Sequence, residues 1–480
     1  MMCYGSAVLH LFVLWGQIAA AEPATDPTLL LAERTVRQQG LPVFRGAPDR
    51  SPLALAWQLR DAEVDPILAA MLGPELAAVA GEGSLRAPAL RPGGVLSLGT
   101  QSPEYRSGDL EPGLLAGRLW TDARAYVGPL ELSARPEVGL DGEGLSITAR
   151  ELWIGARGAH IFGGAGVRER FMGPGRHGGL MLTDHAQPAP MLSIGGQGGP
   201  WRRLGSVRGE VGAGWLNAAR QDVDHPGWLM MDIRWLPVPM LEFGLSRVGI
   251  FGGEGRPRPP IGQLILPTDP HIYDDPDQEL PDQDEMAAID VRLTVPLTVL
   301  APGAYVEGWW QYGGEDVIGR EALGIPYPAL AGVANLYGGE VGVGPWALTL
   351  EGVRAFDDYF RWYTGHRIYH DGFTQNGQSM GYAPGGDAMG LWGALTWLPG
   401  ERGGQLALES LTRIGVVESL EENLLALSAD ERRLRMAASG WLRQSDGTWL
   451  RLELSVERIQ EADFVPGVDE VRYRIALSRG

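Results

Sequence analysis

The chain has 480 residues, 44% of them hydrophobic, a formal net charge of −19, 69 glycines, 16 tryptophans and one cysteine. That much apolar material excludes a disordered or collagen-like chain, and the negative charge disfavours nucleic-acid binding, which depends on neutralising phosphates. Glycine and tryptophan at these levels suit many strands with tight turns and aromatic belts better than a compact α/β enzyme.

The N-terminal stretch MMCYGSAVLHLFVLWGQIAAAEP carries an apolar run from Ala7 to Trp15, followed by Ala19, Ala20 and Ala21. It reads as a secretory signal peptide over residues 1–21, cut before Glu22. The run is too short for a helix crossing about 30 Å of hydrocarbon. Cys3 lies inside it, so the exported chain has no thiol for a disulfide, a nucleophile or a metal site. All 40 basic residues are arginine, a usage that genome base composition explains.

Residues 22–92 are predicted to form a small periplasmic helical bundle or plug. Asp26-Pro27, Ser51-Pro52 and Asp65-Pro66 each set an N-cap residue before a proline suited to the first helical turn, and Gly40 and Gly73 supply stops. The spacing predicts three short helices up to about Ala80.

Beyond Gly93 the hydrophobic period becomes two. Ile289, Val291, Leu293, Val295, Leu297 and Val299 fall on one side, with Asp290, Arg292 and Thr294 on the other. Leu450, Leu452, Leu454 and Val456 alternate with Arg451, Glu453, Ser455 and Glu457. Trp346, Leu348 and Leu350 repeat the pattern, as do Val471, Tyr473, Ile475 and Leu477. There are about seventeen or eighteen such segments of roughly ten residues, long enough to cross a bilayer at a tilt. In lipid only a closed barrel pairs every backbone group of such strands, and it turns the charged face inward. The expected fold is therefore an all-β transmembrane barrel of about 18 antiparallel strands over residues 93–480, preceded by the helical bundle and located in the outer membrane. Trp120, Trp153, Trp215, Trp235, Trp346, Trp392 and Trp449 are expected in interfacial girdles. The long segments Val167–Pro190, Phe251–Glu285, Gly314–Ala334 and Asp357–Ala388 are expected as external loops, where function should lie.

Within the last of these, Gly377–Gly381 (GQSMG) matches G-x-S-x-G, the form of a hydrolase nucleophile elbow at Ser379. An elbow needs a following helix and then a histidine. Here Gly381, Pro384, Gly385 and Gly386 prevent the helix, and the last histidine, His370, lies upstream. His366 and His370 have a zinc-compatible spacing only on a helix, and the metalloprotease glutamate is missing. The better reading of Trp362, Tyr363, His366, Arg367, Tyr369, His370 and Tyr382 is a polar-aromatic cluster whose ring faces pack on sugars and whose arginine pairs with uronate carboxylates. The same composition would equally serve an internal network filling the barrel mouth. The acidic run Asp274–Glu285 lacks EF-hand spacing and reads as a solvated loop.

Three segments together resemble the capsule assembly Wzi family of bacterial outer membranes: FMGPGRHGGLMLTDHAQPAPMLSIGG (Phe171–Gly196), GLSRVGIFGGEG (Gly244–Gly255) and HRIYHDGFTQNGQSMGYAPGGD (His366–Asp387). The resemblance implies an eighteen-stranded barrel with a periplasmic helical bundle, acting without enzymatic activity or cofactor as a lectin that attaches capsular or exported polysaccharide to the cell surface. It adds Arg176, His177 and Asp387 to the candidate polysaccharide-binding residues; none is expected to bind metal. Expected partners are the polysaccharide and outer-membrane lipids, with the protein a monomer and nucleic acid excluded. Two other readings compete: a porin-like diffusion channel in which Asp290 and Arg292 tune ion preference, and a surface esterase using Ser379.

Overall fold

The computed structural model describes residues 27–39, 43–47, 56, 58, 89–99 and 115–479, with 142–143, 203, 218–219, 261, 263, 265–282, 319–328, 357–361, 364–365, 367, 415–429 and 446–447 excepted. The signal segment, the helix starts at Ser51 and Asp65, and residues 274–282 of the acidic run lie outside the described residues.

Helix α1 (Pro27–Gln39) begins at the Asp26-Pro27 signal and ends before Gly40. Eighteen strands follow as a barrel, with a short hairpin inserted between two of them. They are β1 (Ala89–Gly99), β2 (Leu115–Val127), β3 (Leu130–Asp141), β4 (Gly144–Arg157), β5 (Ile161–Val167), β6 (Pro190–Trp201) and β7 (Gly205–Trp215). Next come β8 (Gly227–Val238), β9 (Leu241–Phe251), β10 (Gln283–Pro296), β11 (Tyr305–Ile318), β12 (Ala329–Val343) and β13 (Trp346–Ala355). The hairpin is β14 (Thr374–Gln375) with β15 (Gln378–Ser379), and the barrel resumes with β16 (Ala388–Trp397), β17 (Arg402–Arg413), β18 (Glu431–Arg443), β19 (Trp449–Gln460) and β20 (Glu470–Arg479). Each barrel strand pairs antiparallel with its neighbours in sequence, β13 pairs with β16, and β20 closes the cylinder on β1. No edge is left, so the described backbone ladder satisfies itself as a lipid environment requires.

The alternation of the sequence is the alternation of the wall. On β19 Leu452, Leu454 and Val456 face outward, each nearly half exposed, while Arg451, Glu453, Ser455 and Glu457 are buried in the interior. On β10 Ile289 and Leu293 face outward, and Asp290, Arg292 and Thr294 inward. This strand ends at Pro296, so Leu297 and Val299, expected in it, lie in the connecting turn, where Val299 is 98% exposed. A proline at the strand's end and the Pro302-Gly303 pair beyond it stop the ladder. Leucine, isoleucine and valine exposed all around the wall form the lipid-facing belt of an outer-membrane barrel.

The girdle expectation holds for Trp215, Trp235 and Trp346, which are outward and exposed, but not for Trp120, Trp153 and Trp449, which are buried inside. Trp120 lies under the guanidinium of Arg135 at 4.7 Å, and Trp153 is flanked by Arg168 and Arg170 at 5.0 and 4.9 Å. Cation–π contact with inward arginines outcompetes the interface for these rings. Trp392 likewise turns toward the lumen, against His177.

Short turns join strands at one end of the barrel and most long connections lie at the other. In outer-membrane barrels these are the periplasmic and extracellular ends. Helix α1 sits in the lumen near the turns: Arg34 donates to the Leu398 carbonyl, and Gln38 to that of Gly303 at 3.2 Å. Arg37 pairs with Glu33 (2.8 Å), Glu340 (2.9 Å) and Glu307 (3.4 Å). From the opposite end, residues 168–189 and the described residues of 362–386 fold into the barrel, where the expectation had them as external loops. Asp290 and Arg292 do not line an open channel either. Asp290 pairs with Arg234 (2.7 Å), which also holds Asp232 (2.7 Å), and Arg292 donates to the Pro174 carbonyl, all of them buried.

Candidate functional site

The loop after β5 enters the lumen as Gly173-Pro174-Gly175, a turn that glycine makes possible because a Cβ on Gly175 would collide with the Gly178 carbonyl. The turn aims three successive N–H groups, of Arg176, His177 and Gly178, at the Glu351 carboxylate of β13 at 2.6, 3.0 and 2.7 Å. Trp309 Nε1 adds a fourth donor at 3.1 Å. A buried carboxylate met by four donors is a rigid anchor. Arg176 then reaches Glu33 of α1 and Glu307 of β11 (2.8 Å). The His177 ring stacks on Trp392 at 4.8 Å, and its Nε2 lies 2.9 Å from Glu409. Arg176 and His177, expected to touch polysaccharide, thus face inward and tie loop, wall and helix together.

Of the two roles left open for the aromatic cluster, its described members take the internal network and not the sugar platform. Trp362, Tyr363, Tyr369 and Tyr382 are each 1–3% exposed and pack with Leu180, Met181, Phe373 and Met380 into one core between the two inward loops. The Tyr363 hydroxyl donates to the Leu180 carbonyl (2.6 Å) and accepts from the Tyr382 N–H (2.7 Å). Burial pushes that hydroxyl above its usual range. Tyr369 donates to the Gly252 carbonyl at 3.0 Å. Ring faces used this way are not open to a sugar. His366 is half-buried, its Nδ1 accepting from the N–H groups of Ile368 (3.2 Å) and Tyr369 (3.3 Å). Asp387 sits at the base of the loop at φ 54°, its carbonyl receiving the Ile414 N–H at 2.7 Å. His370 alone of the described cluster is exposed; Arg367 lies outside the described residues.

What this core carries outward is a polar rim that the sequence reading missed. Asn376 and Gly377 both have positive φ, 52° and 74°, making the β14–β15 hairpin a tight two-residue turn. Asn-Gly is the standard signal for such a turn and could have been found. At its tip, amides form a chain. Asn376 donates to Gln187 (2.8 Å), Asn217 donates to Asn376, and the Asn217 N–H donates to Gln375 (3.1 Å). Arg220 pins the neighbouring loop, holding Asp222 with two bonds of 2.9 and 2.8 Å and donating to the carbonyls of Gly372 and Thr374, both at 3.0 Å. Asp222 also accepts from the N–H groups of Val223 (2.6 Å) and Asp371 (2.9 Å). Burial alone would raise its pKa, but these donors together hold it below the usual carboxylate range.

Beside Gln187 of the amide chain lies a small cleft of about 20 Å³, lined by Glu169, Arg170, Thr183, Gln187, Trp228 and Met380. Burial lifts the pKa of Glu169, against the pull of Arg150. Neutral amides offering donors and acceptors next to a cleft match the hydroxyl-rich surface of a sugar. Ser379 is buried in β15, its Oγ accepting the Gly381 N–H at 3.3 Å, and no helix follows. The strand–turn–helix of a nucleophile elbow is absent at this serine.

Fold and lining define an outer-membrane β-barrel whose described interior holds α1 and two inward loops. The family model for the capsule assembly protein Wzi matches residues 121–471, and the chain belongs to that family. No curated protein matches the sequence. Among solved structures, the chain is similar to Wzi of Escherichia coli, described as an outer membrane protein involved in group 1 capsule assembly and a carbohydrate-binding β-barrel. The TM-score is 0.69 at 18% identity, covering 96% of this chain and 99% of that one. Pseudomonas aeruginosa OprD (TM-score 0.45, 10% identity, 83% and 96% covered) and Acinetobacter baumannii OccAB1 (0.44, 11%, 83% and 98%) are more distant.

Proposed function

We propose that this protein is a lectin of the outer membrane that binds capsular or exported polysaccharide at the extracellular end of the barrel and attaches it to the cell surface. The observation that carries the reading is the amide chain Gln187, Asn376, Asn217 and Gln375, presented at the rim on a rigid internal core. The carbohydrate binding described for the E. coli relative supports it. The segment before β1 acts as a periplasmic plug, and the barrel, which begins at Ala89 and not at the expected residue 93, works as a monomer without catalysis or cofactor. Sugar contacts are assigned to the rim amides and His370, with Arg176, His177 and the buried aromatics holding the rim in place. Deleting the gene should release capsule into the medium without stopping polymer synthesis, and purified protein should retain capsular polysaccharide on an array. Unchanged surface attachment in the deletion strain would refute the reading.

A further inference from the structure

Strand β18 carries three arginines within four residues, and the wall separates them. Arg433 and Arg435 point inward, to Glu431 (2.6 Å) and Glu453 (3.5 Å). Arg432 points outward, is exposed, and has no acidic partner among the described residues. On the adjacent strand Arg458 also faces outward and is 61% exposed, with a loose contact of 3.4 Å to the exposed Asp469. The register pairs Arg432 with Gln460 and Leu434 with Arg458, so the two arginines are diagonal neighbours, about 7–8 Å apart. Ser410 and Thr412 of β17 stand next to them on the same outer face.

Their height on the wall is what gives the pair meaning. Toward the turn end, the same face continues as Leu434, Met436, Leu454, Val456 and Tyr473, all exposed to lipid. The arginines therefore stand where the apolar belt gives way to headgroups on the extracellular side, stems on acyl chains and guanidiniums at the interface. In a chain of net charge −19, whose inward arginines are met by carboxylates, two outward cations with hydroxyl and amide neighbours form a site for an external anion.

We propose that Arg432 and Arg458 bind a phosphate of a phosphorylated lipid headgroup in the outer leaflet, anchoring the barrel to its lipid neighbours. Their direction away from the lumen and below the rim separates this site from the glycan-binding mouth, so it stands or falls independently of the lectin reading.

The test is native mass spectrometry of the full chain in a nonionic detergent, titrated with diphosphoryl lipid A, with the same lipid after phosphate removal, and with inorganic phosphate. The protein should bind the diphosphoryl lipid, and R432Q/R458Q should weaken this on the order of thirtyfold, about fivefold per arginine. Arg202→Gln, an exposed arginine in the short turn after β6 at the opposite end of the barrel, should change nothing. Heat-modifiable migration on gels verifies that each variant is a folded barrel, and R432K/R458K, which keeps both charges, should retain most of the binding. Equal binding of the dephosphorylated lipid, or undiminished binding by the double glutamine variant, overturns the proposal. Displacement of the lipid by millimolar inorganic phosphate would assign the site to the free ion and overturn the lipid assignment.

Discussion

Arg176, from a loop that leaves the wall at the extracellular end, forms an ion pair with Glu33 of the helix lodged at the periplasmic end. Through Glu307 the same guanidinium is tied to the wall, and Arg37 binds Glu33 and Glu307 from below. The two plugging elements thus share one charge network across the lumen. Removing one partner of such a buried network leaves uncompensated charge, at a cost of about 3–5 kcal/mol. Arg176→Ala should lower the temperature of heat-modified unfolding, and in planar bilayers it should convert a nearly silent protein into one with flickering conductance. A variant as silent and as stable as the parent would show that the network does not hold the plug.

Glu351 provides a second test of the interior. Glu351→Ala leaves three backbone N–H groups and the Trp309 indole without their acceptor and should destabilise by about 2–5 kcal/mol. Glu351→Gln keeps one acceptor oxygen and should lose less. Urea titration followed by tryptophan fluorescence measures the difference.

The rim should respond to acid through Asp222. Its folded pKa is depressed, so its contribution to stability is present above the usual carboxylate pKa and is lost as pH falls through the lower folded value, below about pH 4. Hydrogen-exchange protection factors of residues 220–226 should therefore fall in acid, while those of Asp222→Asn should be lower already at neutral pH and change less with pH.

Glycan binding should separate from folding. Asn376→Ala and Asn217→Ala should each weaken binding of a short capsular oligosaccharide about fivefold, the worth of roughly one hydrogen bond, with little change in unfolding. Short ligands are needed because multivalent contact with a polymer conceals weak individual sites. Tyr363→Phe, by contrast, removes the bond to the Leu180 carbonyl within the core and should lower stability first.

The contrast between strands and site explains how far the sequence could be read. On β19 the neighbours Leu452 and Glu453 fall on opposite sides because successive side chains must, and an apolar side at lipid with a charged side within satisfies both solvents. The same local logic located α1 at Asp26-Pro27. It failed for Tyr363 and Tyr382, because an aromatic residue in a polar, glycine-rich stretch can serve a surface platform or a loop core equally well. Which of these forms depends on whether residues 362–386 meet Leu180 and Met181, some two hundred positions away.

The sequence by itself determined a cylinder with a greasy exterior and a charged interior, since period-two patterning is a property of each strand alone. Only the tertiary structure decided that two loops turn inward, that Arg176 and His177 serve the scaffold, and that Asn217, Gln187 and Asn376 converge on the rim. Those outcomes rest on contacts between distant segments, which close only once the barrel has brought its strands into register.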